Sequence, residues 1–189
     1  LIFAVRLILE ENGKMLFLRQ TKKNGGRFSL IGGNVEEHEF AREALAREAA
    51  EEAGIHVEPE NLSLVHVLHR HKLKKGETLL VLYFKTARFH GEPESLEPKK
   101  FKDVAWLPVS NLPGEVSKPT LHVLRCIHEG VIYSEFPTRG KVLAFWEQFG
   151  NNWAGFSDFE NACIFTPVFT LFGLLSDGCL LAQSLFLYV

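Results

Sequence analysis

GNVEEHEFAREALAREAAEEAGI, residues 33 to 55, is the stretch on which the reading of the chain turns. From Glu37 to Ala53 the pattern is helical: Ala41, Leu45, Ala49 and Ala53 recur every four residues, Gly54 supplies a stop, and Pro59 prevents a quick restart. The same stretch holds seven glutamates, Glu36, Glu37, Glu39, Glu43, Glu48, Glu51 and Glu52. At about 100° per residue, Glu51 and Glu52 fall within roughly 60° on either side of Glu48, so three carboxylates leave one narrow helix face. Like charges three and four positions apart destabilise a helix unless a cation neutralises them. A solvated acidic face is the plain reading. Against it, the face is broken by small alanines, a Gly-Gly turn leads into it, and Arg47 stands beside it ready to brace a carboxylate. Hard carboxylate oxygens in such a cluster are what Mg²⁺ or Mn²⁺ takes as ligands, and phosphate chemistry uses those ions.

Outward from this segment the chain is strand-rich. Leu1 to Leu9 and Lys14 to Arg19 are apolar runs rich in β-branched and aromatic residues, separated by Glu10-Glu11-Asn12-Gly13, whose Asn-Gly is a strong hairpin signal. Gly25-Gly26 and Gly32-Gly33 bracket a short strand, Arg27 to Ile31. Leu62 to His71, Thr78 to Phe89, and Val104 to Leu107 read as further strands, the last ended by Pro108. Ser110 can cap a short turn at Asn111 to Pro113, and Pro119 to Glu129 is apolar at helical spacing, closed by Gly130. Strands before, between and after two helices predict a mixed α+β sandwich, not a doubly wound parallel sheet.

Gly33, five residues, Glu39, seven residues, then Arg47-Glu48-Ala49-Ala50-Glu51-Glu52-Ala53-Gly54-Ile55 resembles the Nudix box at every defining position, Ala49 being the weakest match. The resemblance implies an α+β Nudix fold, with a mixed β-sheet sandwiched between α-helices, and hydrolysis of a nucleoside diphosphate linked to another group. Gly91-Glu92-Pro93, Glu97, Trp106-Leu107-Pro108 and Asn111-Leu112-Pro113 look like the MutT-type branch, which hydrolyses nucleoside triphosphates. The likeness covers roughly residues 1 to 136. Two positions depart from it: Ile31 stands where proline usually precedes Gly-Gly, and His38 where glycine usually precedes the box glutamate.

The resemblance also implies roles. Glu48 and Glu52 are the principal metal ligands, Glu51 and Glu36 complete the shell directly or through water, and the Gly32 carbonyl is a further ligand. Arg47 orients a carboxylate, Glu39 holds Arg47 and the loop, and Gly33 and Gly54 are structural. The general base is either Glu97, on a loop, or Glu51, on the helix. Arg19 is a phosphate contact, with a surface salt bridge an equal alternative. Phe84, Phe89 and Phe3 could stack on a base, although strand aromatics are more often core. His66, His69 and His71 suggest a metal site, but His69 and His71 alternate on a strand and read better as a polar face. Lys72, Lys74 and Lys75 before Gly76 read as a solvated hairpin tip.

Composition bounds what remains. In 189 residues, 21 Lys and Arg against 23 Asp and Glu leave a net charge of -2, which advertises no non-specific grip on nucleic acid. Three widely spaced cysteines make neither a disulfide framework nor a zinc knuckle, which fits a reducing cytoplasm. The chain opens inside a strand with no basic leader and reads as a fragment, not a precursor carrying a signal peptide. Every Lys and Arg lies at or before Lys141, whereas residues 141 to 189 hold 11 of the 22 aromatics. That shift predicts a hydrolase domain over 1 to 140 and an apolar, aromatic-rich tail over 141 to 189. Residues 162 to 189 carry one charge, Asp177, and are long enough to be weighed as a membrane span. Pro167, Gly173 and Ser176-Asp177-Gly178 cut them into pieces, so an extension packed on the domain, or a non-native stretch, stands beside that reading. The expected function is metal-dependent nucleotide hydrolysis. The alternative is a Nudix-fold module that binds without turnover, which would have no need to keep so repulsive a glutamate set.

Overall fold

The computed structural model describes residues 1–72 and 75–137. Lys74 of the basic turn, and the tail over 141–189 with its membrane and domain readings, lie outside the described residues.

The first hairpin forms as its sequence dictates: β1 (Ile2–Glu11) turns at Asn12 and Gly13, both with positive φ, into β2 (Lys14–Gln20). The remaining elements are β3 (Phe28–Ser29), α1 (Ala41–Ala53), β4 (Ser63–Lys72), β5 (Glu77–Thr86), β6 (Phe101–Pro108), α2 (Lys118–His128) and β7 (Tyr133–Phe136). They build one mixed sheet in the order β3-β2-β1-β5-β4-β7, with β6 antiparallel to β2. β1 and β5 run parallel over eight residue pairs, and β7 runs parallel to β4.

Alternation along β1 divides the core. Val5, Leu7 and Leu9 face α1, where they join Ala44, Leu45, Ala49 and Ala53, while Ala4 and Ile8 pack on the opposite side with Val123 and Leu124 of α2. Arg6 falls between Ala4 and Ile8 on the α2 face.

Several elements differ from the sequence expectation. α1 starts at Ala41 instead of Glu37, because His38 takes a left-handed φ of 72° and the Glu39 carboxylate turns back to accept the Glu36 N–H at 2.7 Å. The strand expected over Arg27 to Ile31 is only Phe28–Ser29; the chain then leaves β2 and runs beside β1, where Leu7 N–H donates to Ile31 O and Val5 N–H to Gly33 O, each at 2.9 Å. β5 ends at Thr86, whose hydroxyl accepts the Arg88 N–H. β7 has no counterpart among the expected elements. Its attachment includes a buried polar chain: His66 contacts Val131 O and Ser134 Oγ, each at 2.8 Å, and His122 Nε2 reaches the same hydroxyl at 3.0 Å. His69 and His71 do form a polar face, with ring centroids 4.9 Å apart.

Candidate active site

The site begins with two glycines, the first held to glycine by the backbone and the second by the carboxylate packed on it. Gly32 has a φ of 133°, and a side chain there would run into the Val5 carbonyl; a side chain on Gly33 would occupy the space of the Glu48 carboxylate. The Gly-Gly turn is thereby pressed between β1 and the carboxylate face of α1. The Gly32 N–H donates to Glu52 Oε2 at 2.9 Å, which fixes that carboxylate beneath the turn.

Arg47 organises the outer half. Its Nε and Nη2 form a fork on Glu39, at 3.1 and 2.8 Å, while Nη1 is shared by Glu48 at 3.1 Å and Glu51 at 3.2 Å. Nη2 also donates to Asn34 O at 3.3 Å and lies 4.0 Å from Glu36. Glu39 holds its charge below the usual carboxylate range, chiefly because of that Arg47 fork. Glu36 and Glu51 are exposed on this outer side; Glu48 is half way in, and Glu52 is buried.

The segment after Gly91 hangs on the end of α1. Gly54 caps the helix in the left-handed conformation, Glu94 N–H donates to Ala53 O, and Leu96 N–H donates to Glu52 O. These bonds carry Glu97 to the inner carboxylates. One of its oxygens pairs with Lys100 at 2.8 Å; the other, Oε2, is buried and has no hydrogen-bond partner. Glu52 feels the consequence: burial first, then the charges of Glu48 and Glu97, push its carboxyl up to about 7 against the pull of the Gly32 N–H and Arg6.

A divalent cation suits this arrangement. Glu48 and Glu52 are hard oxygen donors whose charges repel, Glu97 adds to that repulsion, and its buried, unpartnered oxygen would accept from a water at the site. Among the described residues, no three acidic, histidine or cysteine side chains already converge as a closed ligand set, because Glu48 is turned to Arg47 and Glu52 to Gly32.

A cavity of about 500 Å³ opens on the α2 side of the sheet, lined by Arg6, Arg27, Arg70, Lys72, Tyr83 and Ser117 among others. Arg6 Nη1 donates to Val5 O at 2.6 Å and to Gly33 O at 3.3 Å, which joins the cavity wall to the glycine turn. Sequence reasoning misses Arg6, Arg70 and Lys100. The one available signal for Arg6 is a lone cation in the otherwise apolar run from Leu1 to Leu9.

Phe84 corrects an expectation. It is 4% exposed within the core on the α1 side, so it has no open face to offer a base. Phe89 packs on Trp106 with ring centroids 6.4 Å apart, and Arg19 is exposed on β2 with its guanidinium 5.5 Å from the centre of the Phe28 ring.

The family model described as "NUDIX domain" matches residues 2–125. The chain belongs to the Nudix family and is a hydrolase acting on pyrophosphate bonds. Among solved structures it is similar to the MutT Nudix hydrolase from Burkholderia pseudomallei, at 25% identity over 66% of this chain and 95% of that one, with a TM-score of 0.61. The MutT proteins of Bacillus halodurans and Methanosarcina mazei share the fold, at 21% and 18% identity and TM-scores of 0.58 and 0.59; they cover 71% and 68% of this chain, and 88% and 93% of their own lengths are matched. No curated protein matches the chain. Nudix hydrolases act on nucleotide substrates and generally use divalent metal ions. No helix among the described residues is long and apolar enough to cross a membrane.

Proposed function

We propose that the chain is a (deoxy)nucleoside triphosphate pyrophosphohydrolase of MutT type, dependent on Mg²⁺ or Mn²⁺. The observation that carries this reading is the buried Glu97 oxygen that has no partner, near enough to the buried Glu52 carboxyl, held under the Gly32-Gly33 turn, for the two to feel each other's charge. A module that only bound nucleotide would have no use for a buried carboxylate that resists ionisation.

Glu48 and Glu52 would hold the ion, with the Gly32 carbonyl as a further donor and Glu51 and Glu36 reaching it through water. Bound there, the ion neutralises phosphoanhydride charge and makes a coordinated water more acidic. Glu97 is the general base: it sits on the loop side of the cluster with an oxygen free to take a proton, whereas Glu51 is turned outward to Arg47. Arg47, clamped by Glu39, positions Glu48 through one carboxylate oxygen, and the Gly32 N–H positions Glu52 through one of its own. Arg19 contacts the phosphates. Residues 1–140 form the hydrolase domain, since every group named here lies within it.

A panel of nucleoside triphosphates with Mg²⁺, read for pyrophosphate against orthophosphate, tests this reading. Release of pyrophosphate that stops in excess EDTA is the expected result. No turnover of any nucleotide with either metal would leave the binding module as the better account.

A further inference from the structure

Among the described residues, the cavity on the α2 face is lined by four cations, Arg6, Arg27, Arg70 and Lys72, and by no Asp or Glu. Lys72 has a partner in Glu77 at 3.1 Å, and Arg6 uses one nitrogen on backbone carbonyls. Arg70 is different. It projects from β4 on the side facing α2, its Nε is buried, and no acceptor meets it; on the β3 side of the same cavity the Ser29 hydroxyl is also buried and unpartnered. Burial, with the nearby Arg6 cation adding to it, holds the Arg70 guanidinium below its ordinary range. A buried donor left unmade costs free energy, and a charged one costs more, so folding alone does not account for this placement.

We propose that this cavity receives an anionic group, phosphate or carboxylate, carried on the end of the substrate remote from the pyrophosphate that is cleaved. A neutral base could satisfy one guanidinium through its acceptor atoms, but it would leave the remaining positive charge uncompensated. Planar guanidinium forks match phosphate and carboxylate oxygens in pairs. The Arg6 bond to Gly33 O places this anion site next to the hydrolytic centre, so one ligand can span both, and about 500 Å³ accommodates a nucleoside with a further substituent. The inference rests on the pyrophosphate-cleaving reading above and narrows it: the preferred substrates are nucleotides charged at both ends.

Matched pairs test it. GTP against GTP carrying a 3′-diphosphate isolates phosphate, and UDP-glucose against UDP-glucuronate isolates carboxylate. With Mg²⁺, the anionic member of at least one pair is expected to show a kcat/KM higher by about tenfold or more. Arg70→Gln, or Arg27→Gln at the exposed rim should the first variant fold poorly, should bring that ratio toward one. Calorimetric binding of the same four compounds in EDTA reads recognition without turnover. Ratios near one in the native protein, or a ratio that Arg70→Gln and Arg27→Gln leave intact, would overturn the proposal. Turnover without selectivity refutes the anion site alone; anion-selective binding with no turnover refutes the catalytic reading alone; neither binding nor turnover refutes both.

Discussion

Replacing Glu52 with glutamine should make the metal-free protein more stable while disabling it. The Glu52 carboxyl rises from an ordinary 4.5 to about 7 on folding, because it is buried and faces Glu48 and Glu97. At about 1.36 kcal/mol per pKa unit, ionising it in the fold costs about 3 kcal/mol. The folded state binds more protons than the unfolded chain between these values, so the Glu52 contribution is fully present below about pH 4.5 and is lost as pH rises through 7. The amide introduced by Glu52→Gln would keep an oxygen for the Gly32 N–H and offer donors to its acidic neighbours. Urea denaturation in EDTA should therefore give similar stabilities for the two proteins near pH 4.5 and an advantage of about 3 kcal/mol for Glu52→Gln at pH 8.5, on the order of 10 °C in Tm. Adding Mg²⁺ should reverse the order by stabilising only the native protein. A variant less stable than the native protein at pH 8.5 in EDTA, or a gap that does not change with pH, would refute the reasoning.

Glu97→Gln should lower kcat by about 10² to 10⁴ with metal affinity little changed, and reshape the acid limb of the pH profile; the same loss in Glu51→Gln with Glu97→Gln near neutral would move the base onto the helix. His66 and His122 are held below the ordinary histidine range mainly by burial. The unfolded chain thus takes up protons first, and in the Glu52→Gln background stability should fall as pH drops below about 6.5; a flat profile between pH 7 and 5 would contradict this. His38→Gly removes a left-handed histidine and should stabilise the protein by up to about 1 kcal/mol, measured by urea denaturation, with loss of stability as the contrary result. A chain cut after Gly140 should still hydrolyse nucleotide at the full-length rate, since each residue assigned to the site precedes it; loss of turnover would make the tail part of the domain.

What can be read from the sequence is local or periodic. The Asn12-Gly13 hairpin, the Gly54 stop and the carboxylate face of α1 each depend on residues a few positions apart, and all stand in the structure. The start of α1 is harder to read because the acidic residues at 36, 37 and 39 suit a first helical turn, and only the tertiary pull of Arg47 on Glu39 shows that they form a loop instead. β7 is four residues long with a weak burial pattern, and it exists because β4 offers an open edge. Arg6 and Arg70 meet across strands 64 positions apart, a proximity set by the β1-β5-β4 order and invisible to any spacing rule. Phe84 shows the converse: an aromatic in a strand cannot announce which face it will occupy.

The alternation along β1 has an engineering consequence. Val5, Leu7 and Leu9 support the helix that carries the hydrolytic carboxylates, while Arg6, between Ala4 and Ile8 on the other face, lines the cavity. Bond cleavage and ligand choice are thus separately editable: a library confined to Arg27, Ser29, Arg70 and Thr120 can retune selectivity while the α1 side of the sheet stays as it is. Arg6 couples the two halves: the Gly33 carbonyl accepts from Val5 on the strand and from Arg6 in the cavity, and the Arg6 charge is felt at Glu52.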